Sequence, residues 1–375
     1  MLYLDNNATT KVHPEVIDVM RSYFDTVYGN PDGKYYDVAE QSKQAVKYSR
    51  LQISNILKCQ SDEVIFTSGA TESNNMIIKG VAYKNSTKGR HLITSTIEHS
   101  SVYETFKFLE TKGFEVTYLP VNKEGQLDYD LLQKSIRPDT ILVSLMWVNN
   151  ELGSIFDIEK ISNICLKSTV DFHSDATQAI GKVKVDLSRY PGLTHVSFSG
   201  HKIYGPKGIG VAIIKNDELG LPRKIEKLLH GGEQEHNYRA GTLNVPGIVG
   251  VAKALEIVTN EFDLNYKKLV VLEQEILRLL NKLFDNFMTL NNRFSHVPGV
   301  INFRVSGMNN QILIKQLAPY MGLSTGSACS NLKPSRVLKE IGLNPKEISE
   351  SIRISISPYT ELSELDELEK ILFSN

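Results

Sequence analysis

Between about residue 60 and residue 215, short apolar runs alternate with longer amphipathic ones. The short runs predict strands over Glu63–Thr67, His91–Ser95, Glu115–Leu119, Ile141–Val148, Val170–His173, Thr194–Phe198 and Val211–Ile214. The longer patterns predict helices over Ser101–Lys112, Asp128–Ile136 and Ile158–Lys167. Strands alternating with helices imply a largely parallel sheet covered on both faces. The character changes after the Gly/Pro-containing segment Gly241–Gly250. Ala252–Leu283 reads as one long helical pattern, and a second α/β pattern runs from about Gly299 to the end. The expected fold class is α/β: a large domain over residues 15–255 with a mainly parallel, mixed sheet, and a smaller α/β domain from residues 1–14 and 256–375.

Composition narrows the class without naming it. The 42 basic and 43 acidic residues nearly cancel, so no overall field steers the chain to nucleic acid or to an anionic membrane. No apolar run is long enough to span a bilayer, and Met1–Asp5 has no signal-peptide character, so a cytoplasmic protein is expected. Cys59, Cys165 and Cys329 are scattered, giving neither a disulfide framework nor a metal pair.

In open α/β sheets, ligands bind beyond the carboxyl ends of the strands. Five predicted strand ends carry compact polar groups. The first runs into Ser68-Gly69-Ala70-Thr71-Glu72-Ser73, a glycine turn with hydroxyls at a helix start, which suits an anion but also suits ordinary capping. The second leads to Glu98-His99, where the histidine is either a cap or a catalytic group. The third ends in Asn149-Asn150-Glu151-Leu152-Gly153, which is also common turn chemistry. The fourth delivers Asp175, with Gln178 three residues on; an aspartate there can cap a helix, bind metal or pair with a cationic heterocycle. The fifth carries Ser199-Gly200-His201-Lys202 ahead of a Gly/Pro-rich turn, and Lys202 is either a surface lysine or a Schiff-base nucleophile.

Each signal alone is weak, but together they gather a phosphate cradle, an imidazole, an amide, a carboxylate and a lysine on one edge. A pyridoxal phosphate enzyme needs that inventory. Two glycine-rich alternatives fail. Gly200–Lys207 lacks the Gly-Lys-Ser/Thr ending of a P-loop, and Gly208-Ile209-Gly210 precedes a strand rather than a helix. Downstream, Cys329 lies in the small, polar stretch Gly322–Asn331, which offers a thiol no apolar surroundings and makes it a candidate nucleophile. Ser351–Ser357 alternates strictly, with Ile352, Ile354 and Ile356 facing a core and Arg353 on the polar face. Arg353 is either an exposed sheet arginine or a bidentate carboxylate ligand.

Taken together, these residues resemble the cysteine desulfurases of the pyridoxal phosphate class V aminotransferase superfamily. The likeness runs from Tyr3-Leu4-Asp5-Asn6-Asn7-Ala8-Thr9-Thr10 through Gly29-Asn30-Pro31, Val148-Asn149-Asn150-Glu151, Asp175-Ala176-Thr177-Gln178 and Gly241-Thr242 to Gly326-Ser327-Ala328-Cys329 and Ser351-Ile352-Arg353. The resemblance implies a fold-type I enzyme using pyridoxal 5'-phosphate. It implies that Lys202 holds the cofactor and shuttles protons, that Asp175 pairs with the pyridinium nitrogen, that Gln178 binds the phenolate oxygen and that His99 stacks on the ring and helps in proton transfer. Ala70, Thr71, Ser199, Gly200 and His201 would bind phosphate, and Thr242 would reach the phosphate of a neighbouring subunit in a homodimer. Asn150 and Arg353 would orient L-cysteine. Cys329 would take its sulfur as a persulfide, release alanine and pass the sulfur to a protein acceptor, a scaffold or sulfur carrier. The pathway served would be iron–sulfur cluster assembly, tRNA thiolation or DNA phosphorothioation. No metal of its own is implied, although Cys329 could transiently share a cluster with a scaffold partner, and neither nucleic acid nor membrane is an expected partner. Another class V aminotransferase or a selenocysteine lyase is the alternative, in which Cys329 is incidental.

The chain departs from the pattern in four places. Cys329 to Pro334-Ser335 is about two residues short, and the sequence stops soon after Leu372, so the extension that relatives use for docking is expected to be lacking. Trp147 stands where many relatives carry His, and Glu233, His236 and Asn237 replace small or basic residues ahead of Arg239.

Overall fold

Alternation along the strands explains the layering. Successive strand side chains point to opposite faces, and here both faces are covered. The computed structural model describes residues 1–292, 294–326 and 334–373 of the 375-residue chain. The strands, in chain order, are β1 (Leu2–Tyr3), β2 (Val64–Thr67), β3 (His91–Ser95), β4 (Glu115–Leu119), β5 (Thr140–Ser144) and β6 (Asp171–Asp175). Then come β7 (His195–Ser199), β8 (Gly210–Ile214), β9 (Met288–Leu290), β10 (Val300–Val305), β11 (Met321–Gly322) and β12 (Ser351–Ser355). The helices used below are α1 (Pro14–Asp25), α2 (Asp37–Leu57), α3 (Ala70–Lys84), α4 (Ser100–Glu110), α5 (Tyr129–Ser135), α6 (Ile158–Ser168), α7 (Val245–Asn260) and α8 (Phe262–Phe284).

A seven-stranded sheet runs in the order β2-β8-β7-β6-β5-β3-β4. Only β8 pairs antiparallel with its neighbours, β2 and β7; the remaining pairs are parallel. This is the mainly parallel, mixed sheet expected from the sequence. Ile65, Leu92, Leu142, Ala212 and Ile214 face one side, where Met76, Ile77 and Val81 of α3 and Val102, Phe106 and Leu109 of α4 cover them. Their immediate neighbours Phe66, Ile93, Val143, Val211 and Ile213 face the other side, under α2, α6 and α7. A sheet buried on both faces forces near-continuous apolar strands.

The strand expectations hold to within a few residues, with two differences. The run Ile141–Val148 stops being regular strand at Ser144, yet Leu145 and Trp147 still donate their N–H groups to His173 and Asp175. Those bonds carry the chain past the end of β6 toward Asn149. The Ala252–Leu283 pattern is two helices, not one. Glu261 breaks it, with φ −90° and ψ 2°. The apolar stripe of α7 (Ile248, Val251, Leu255, Val258) belongs to the core under the large sheet. That of α8 (Leu269, Leu272, Ile276, Leu279) belongs to a second core. One straight helix could not serve both.

The second core is built on the antiparallel sheet β12-β10-β9, with Ile301, Phe303, Ile352 and Ile354 beneath α8. Leu2 and Leu4 join this core, because β1 pairs in parallel with β11 and Asp5 bridges to Ser355. Beyond Asp5 the N-terminal segment turns back across the large sheet. Thr10 accepts from Tyr204 N–H through its hydroxyl and donates its own N–H to the His201 carbonyl. No helix among the described residues is long and apolar enough to cross a membrane.

Candidate active site

Five strand ends open on the same edge of the large sheet. Strands β3, β5, β6 and β7 run parallel, and β2 shares their direction because it lies antiparallel to β8. Their carboxyl ends deliver Ser68–Thr71, His99, Asn149–Glu151, Asp175–Gln178 and Ser199–Lys202.

Helix α3 begins at this edge. Its N-cap is Gly69, at φ 159° and with no side-chain cap. The amides of the first turn, at Ala70 and Thr71, are therefore not taken by a capping side chain, and the helix dipole is available to an anion. A Cβ on Gly210 would lie 2.5 Å from the Gly69 backbone, so β8 can approach this turn only as glycine. A Cβ built on Gly69 would stand 3.8 Å from the Ser199 hydroxyl, which places Ser199 in front of the helix end. Gly200 is buried, and a Cβ there would meet Ile209 at 2.9 Å and the Pro206 carbonyl at 3.0 Å. That close approach folds the Ser199–Lys202 turn back on itself. His201 is held by Thr9 at 3.2 Å, and burial beside Lys202 pushes its pKa down to about 4, which keeps it neutral.

Asp175, at the end of β6, is buried. Its carboxylate accepts from Thr177 N–H at 2.9 Å and from Asn74 Nδ2 at 2.8 Å. His99 caps α4, accepting from Ser101 N–H through Nδ1, and burial lowers its pKa. Lys202 Nζ donates to the carbonyls of Asn7 (2.5 Å) and Ala8 (2.7 Å). Gln178 donates to the Asn7 carbonyl at 3.0 Å and accepts from Lys182 Nζ. Lys182 also reaches Asn7 Oδ1 at 2.6 Å, and desolvation, with Lys202 and Arg353 nearby, pushes its pKa down to about 7.

Arg353 is 1% exposed, so the far face of β12 is covered too, and the exposed reading of this arginine does not hold. Its guanidinium donates to the carbonyls of Asn150 (3.0 Å) and Gly326 (2.9 Å) and to Asp5 Oδ1 (2.6 Å). Asn150 thus joins the site through its backbone carbonyl, which also accepts from Asn7 Nδ2 at 3.0 Å. Glu151 accepts from Ser335 Oγ and lies 3.0 Å from the position a Gly326 Cβ would take, so it sits between two residues that flank the segment 327–333. Cys329 falls in that segment and lies outside the described residues.

Sequence reasoning did not assign site roles to Asn7, Ala8, Asn74 or Lys182. The run Asp5-Asn6-Asn7-Ala8-Thr9-Thr10 carried a signal, since it is polar between an apolar start and the first helix. Asn74 and Lys182 carried none, because their roles depend on partners 101 and 175 residues away, Asp175 and Asn7. Thr242 is exposed, at the end of a loop tied to Asp32 through Gln234. Two of the altered residues of that loop, His236 and Asn237, have a conformational reason. Glu235, His236 and Asn237 are all left-handed, at φ 51°, 54° and 70°. Asn237 tolerates that conformation well. Glu235 is pinned in it by both Arg50 nitrogens (2.6 and 3.0 Å) and by Phe66 N–H (2.6 Å). Trp147 is buried edge-on against Tyr190.

Glu98 gives a pH prediction. Burial pushes its pKa up to about 8, against bonds from Ser95 Oγ (2.6 Å) and Met146 N–H (3.0 Å) that favour the charged form. The native state then holds a proton that the unfolded chain loses near pH 4.5. Stability should fall as pH rises from about 5 to 8, by an amount on the order of a few kcal/mol. Glu98→Gln keeps an acceptor oxygen and removes the titration, so its unfolding free energy should be flatter over that window in urea titrations at successive pH values. An unchanged slope would place the titrating group elsewhere.

The residues fit a phosphorylated pyridine aldehyde: a carboxylate for a ring nitrogen, an amine, an imidazole, and an uncapped helix end with Ser199 before it. Comparison with known proteins agrees with this fold. A family model described as aminotransferase class-V matches residues 2–368. A cysteine desulfurase IscS of Dictyoglomus turgidum is 40% identical, over 99% of this chain and 94% of that protein. A solved NifS-like protein superposes with a TM-score of 0.90 at 34% identity, covering 100% of this chain and 98% of that one. A structure titled SspA in complex with cysteine gives 0.85 at 33% identity, over 96% of this chain and all of that one. The chain belongs to the aminotransferase class-V family. Within that family, the IscS relative is named for cysteine desulfuration.

Proposed function

We propose that this protein is a cysteine desulfurase that uses pyridoxal 5'-phosphate to move sulfur from L-cysteine to Cys329 and then to a protein acceptor. The observation that carries the reading is the convergence of Lys202, Asp175, His99 and the uncapped start of α3 on one sheet edge, with the buried Arg353 guanidinium reaching Asn150 beside it. When bound, the cofactor supplies an electron sink for charge developing on the substrate carbon framework. Lys202 would hold it and carry protons on Nζ, and Asp175 would pair with its ring nitrogen. Gln178 would donate to the ring oxygen, and His99 would cover one ring face. Ala70, Thr71, Ser199, Gly200 and His201 would take the phosphate at the positive end of α3.

Arg353, with Asn150, would orient the cysteine carboxylate, for which the planar fork of arginine is suited. The Cys329 thiolate would attack the substrate sulfur. A sulfur–sulfur bond forms while the carbon–sulfur bond breaks, and the carbon keeps the electron pair and takes a proton to become alanine. The persulfide is then available to an acceptor.

The reading includes a two-domain division at the boundaries given above and a cytoplasmic homodimer. Free Cys59 and Cys165 suit a reducing compartment. Phe24, Tyr28, Tyr35, Tyr36 and Tyr48, close together in sequence, are each exposed, with Tyr35 93% exposed, and such residues favour an interface. The same region is tied to the loop bearing Thr242 through Asp32 and Gln234. A partner's surface there would bring Thr242 toward the neighbouring phosphate.

Incubation with sulfur-labelled cysteine, followed by mass spectrometry, should find alanine in solution and one extra sulfur on Cys329. Cys329→Ala should keep the cofactor colour, carry no persulfide and release no sulfide. A fully active Cys329→Ala enzyme, or keto-acid production without persulfide, would move the protein to another class V activity.

A further inference from the structure

The strands place Asp175 and His99, but a residue on α3 joins them. Asn74 is fully buried. Its Nδ2 lies 2.8 Å from Asp175 Oδ2 and 2.8 Å from Ser101 Oγ, and its Oδ1 accepts from Ser197 Oγ. The orientation of this amide follows from chemistry. A carboxylate only accepts, so the NH2 group faces Asp175 and the oxygen faces Ser197. Both Nδ2 hydrogens are then used, one on Asp175 and one on Ser101.

The directions propagate to both ends. Ser101 Oγ receives a hydrogen from Asn74, so its own hydrogen goes to His99 Nδ1 at 2.8 Å. That ring nitrogen also accepts from Ser101 N–H at 3.1 Å, so a neutral His99 carries its proton on Nε2. On the other side, Ser197 Oγ spends its hydrogen on Asn74 and accepts from His173 Nε2 at 3.1 Å. His173 Nδ1 in turn accepts from Ser144 Oγ at 2.8 Å. Burial keeps His173 neutral, with its pKa pushed down to about 3, so it can donate from one nitrogen and accept at the other. The result is a buried, one-directional chain from Ser144 through His173, Ser197 and Asn74, forking to Asp175 and to His99.

We infer that Asn74 is a positioning residue whose single carboxamide holds the acid partner and the ring-covering imidazole of the active site as one hydrogen-bonded unit. The inference rests on the proposed roles of Asp175 and His99, but every hydrogen bond of the unit is between protein groups. An amide suits the place because it donates twice and accepts once in one plane. Aspartate would set a second carboxylate against Asp175, and leucine would take one hydrogen bond from each of three buried polar groups.

The test uses the full-length chain labelled with 15N-histidine, both cofactor-free and loaded, with the His99 signals assigned from His99→Gln. Ser101→Ala should move the His99 Nδ1 resonance by removing its hydroxyl donor. Asn74→Ala should move the same resonance in the same direction, because Ser101 loses the donor that aims its hydroxyl. The double variant should match Ser101→Ala alone, since the two residues act in series. Independent packing roles would instead give additive shifts, and that result overturns the inference, as does an unmoved His99 signal in folded Asn74→Ala protein. Should Asn74→Ala not fold, Ser197→Ala releases the amide oxygen and should shift His99 the same way; an unmoved signal there also overturns it. The cofactor-free arm keeps this outcome separate from the functional reading, which the persulfide experiment tests.

Discussion

Lys202→Ala protein is expected to lose the visible absorbance of lysine-held cofactor and about a thousandfold or more in turnover, the scale of losing a positioned acid–base group. The same change removes the donor to the Asn7 and Ala8 carbonyls, so some stability should go with it. Lys202→Arg separates the two effects. Arginine can bond both carbonyls but does not deprotonate, so it should retain stability while remaining colourless and inactive. Absorbance spectra and denaturant midpoints of the two variants, measured side by side, decide it. A coloured, active Lys202→Arg enzyme would remove Lys202 from the chemistry and leave it as an anchor for the N-terminal segment.

Arg353→Ala should cost about 3 to 5 kcal/mol of stability, the range for breaking a buried ion pair from one side. The structure gives the reason. The guanidinium is 1% exposed, pairs with Asp5 at 2.6 Å and satisfies the carbonyls of Asn150 and Gly326. Alanine would remove that donor from all three partners, of which the Asn150 carbonyl keeps a second one, Asn7 Nδ2. Arg353→Lys keeps the charge but not the fork, so it should lose less stability while raising KM for cysteine about ten- to hundredfold. Urea unfolding and steady-state kinetics read the two effects apart. An unchanged KM in Arg353→Lys would mean that the substrate carboxylate binds elsewhere. Asp5 is part of the same expectation, because a substrate carboxylate would compete with it for the arginine.

Much of the large sheet was legible because each of its strands is short, apolar and bounded by turn residues. His91–Ser95 and Glu115–Leu119 match residue for residue. The break at Glu261 was not legible, since α7 and α8 carry the same helical period and differ only in which core they face. Strict alternation puts Arg353 on a polar face, as an exposed sheet arginine or a carboxylate ligand, but residues outside β12 cover that face, and nothing within Ser351–Ser357 announces them. The exposed Thr242 marks the opposite limit: a residue proposed to act on a neighbouring subunit would meet its partner outside its own chain, where neither a sequence nor a single protomer reveals it.

The opening pattern of apolar and polar runs determined that this chain builds a mostly parallel sheet and brings five polar strand ends to one edge. It also determined which groups stand there, because strand direction and period fix where a strand-end residue lands. Only the tertiary structure decided how those groups are held. Asn7 and Ala8 accept from Lys202, Asp5 and Gly326 fix Arg353, and Asn74 ties Asp175 to His99. These are hydrogen bonds between residues far apart in sequence. Their existence depends on distances of about 3 Å that no periodicity encodes, and they form only once two buried cores have set the elements against one another.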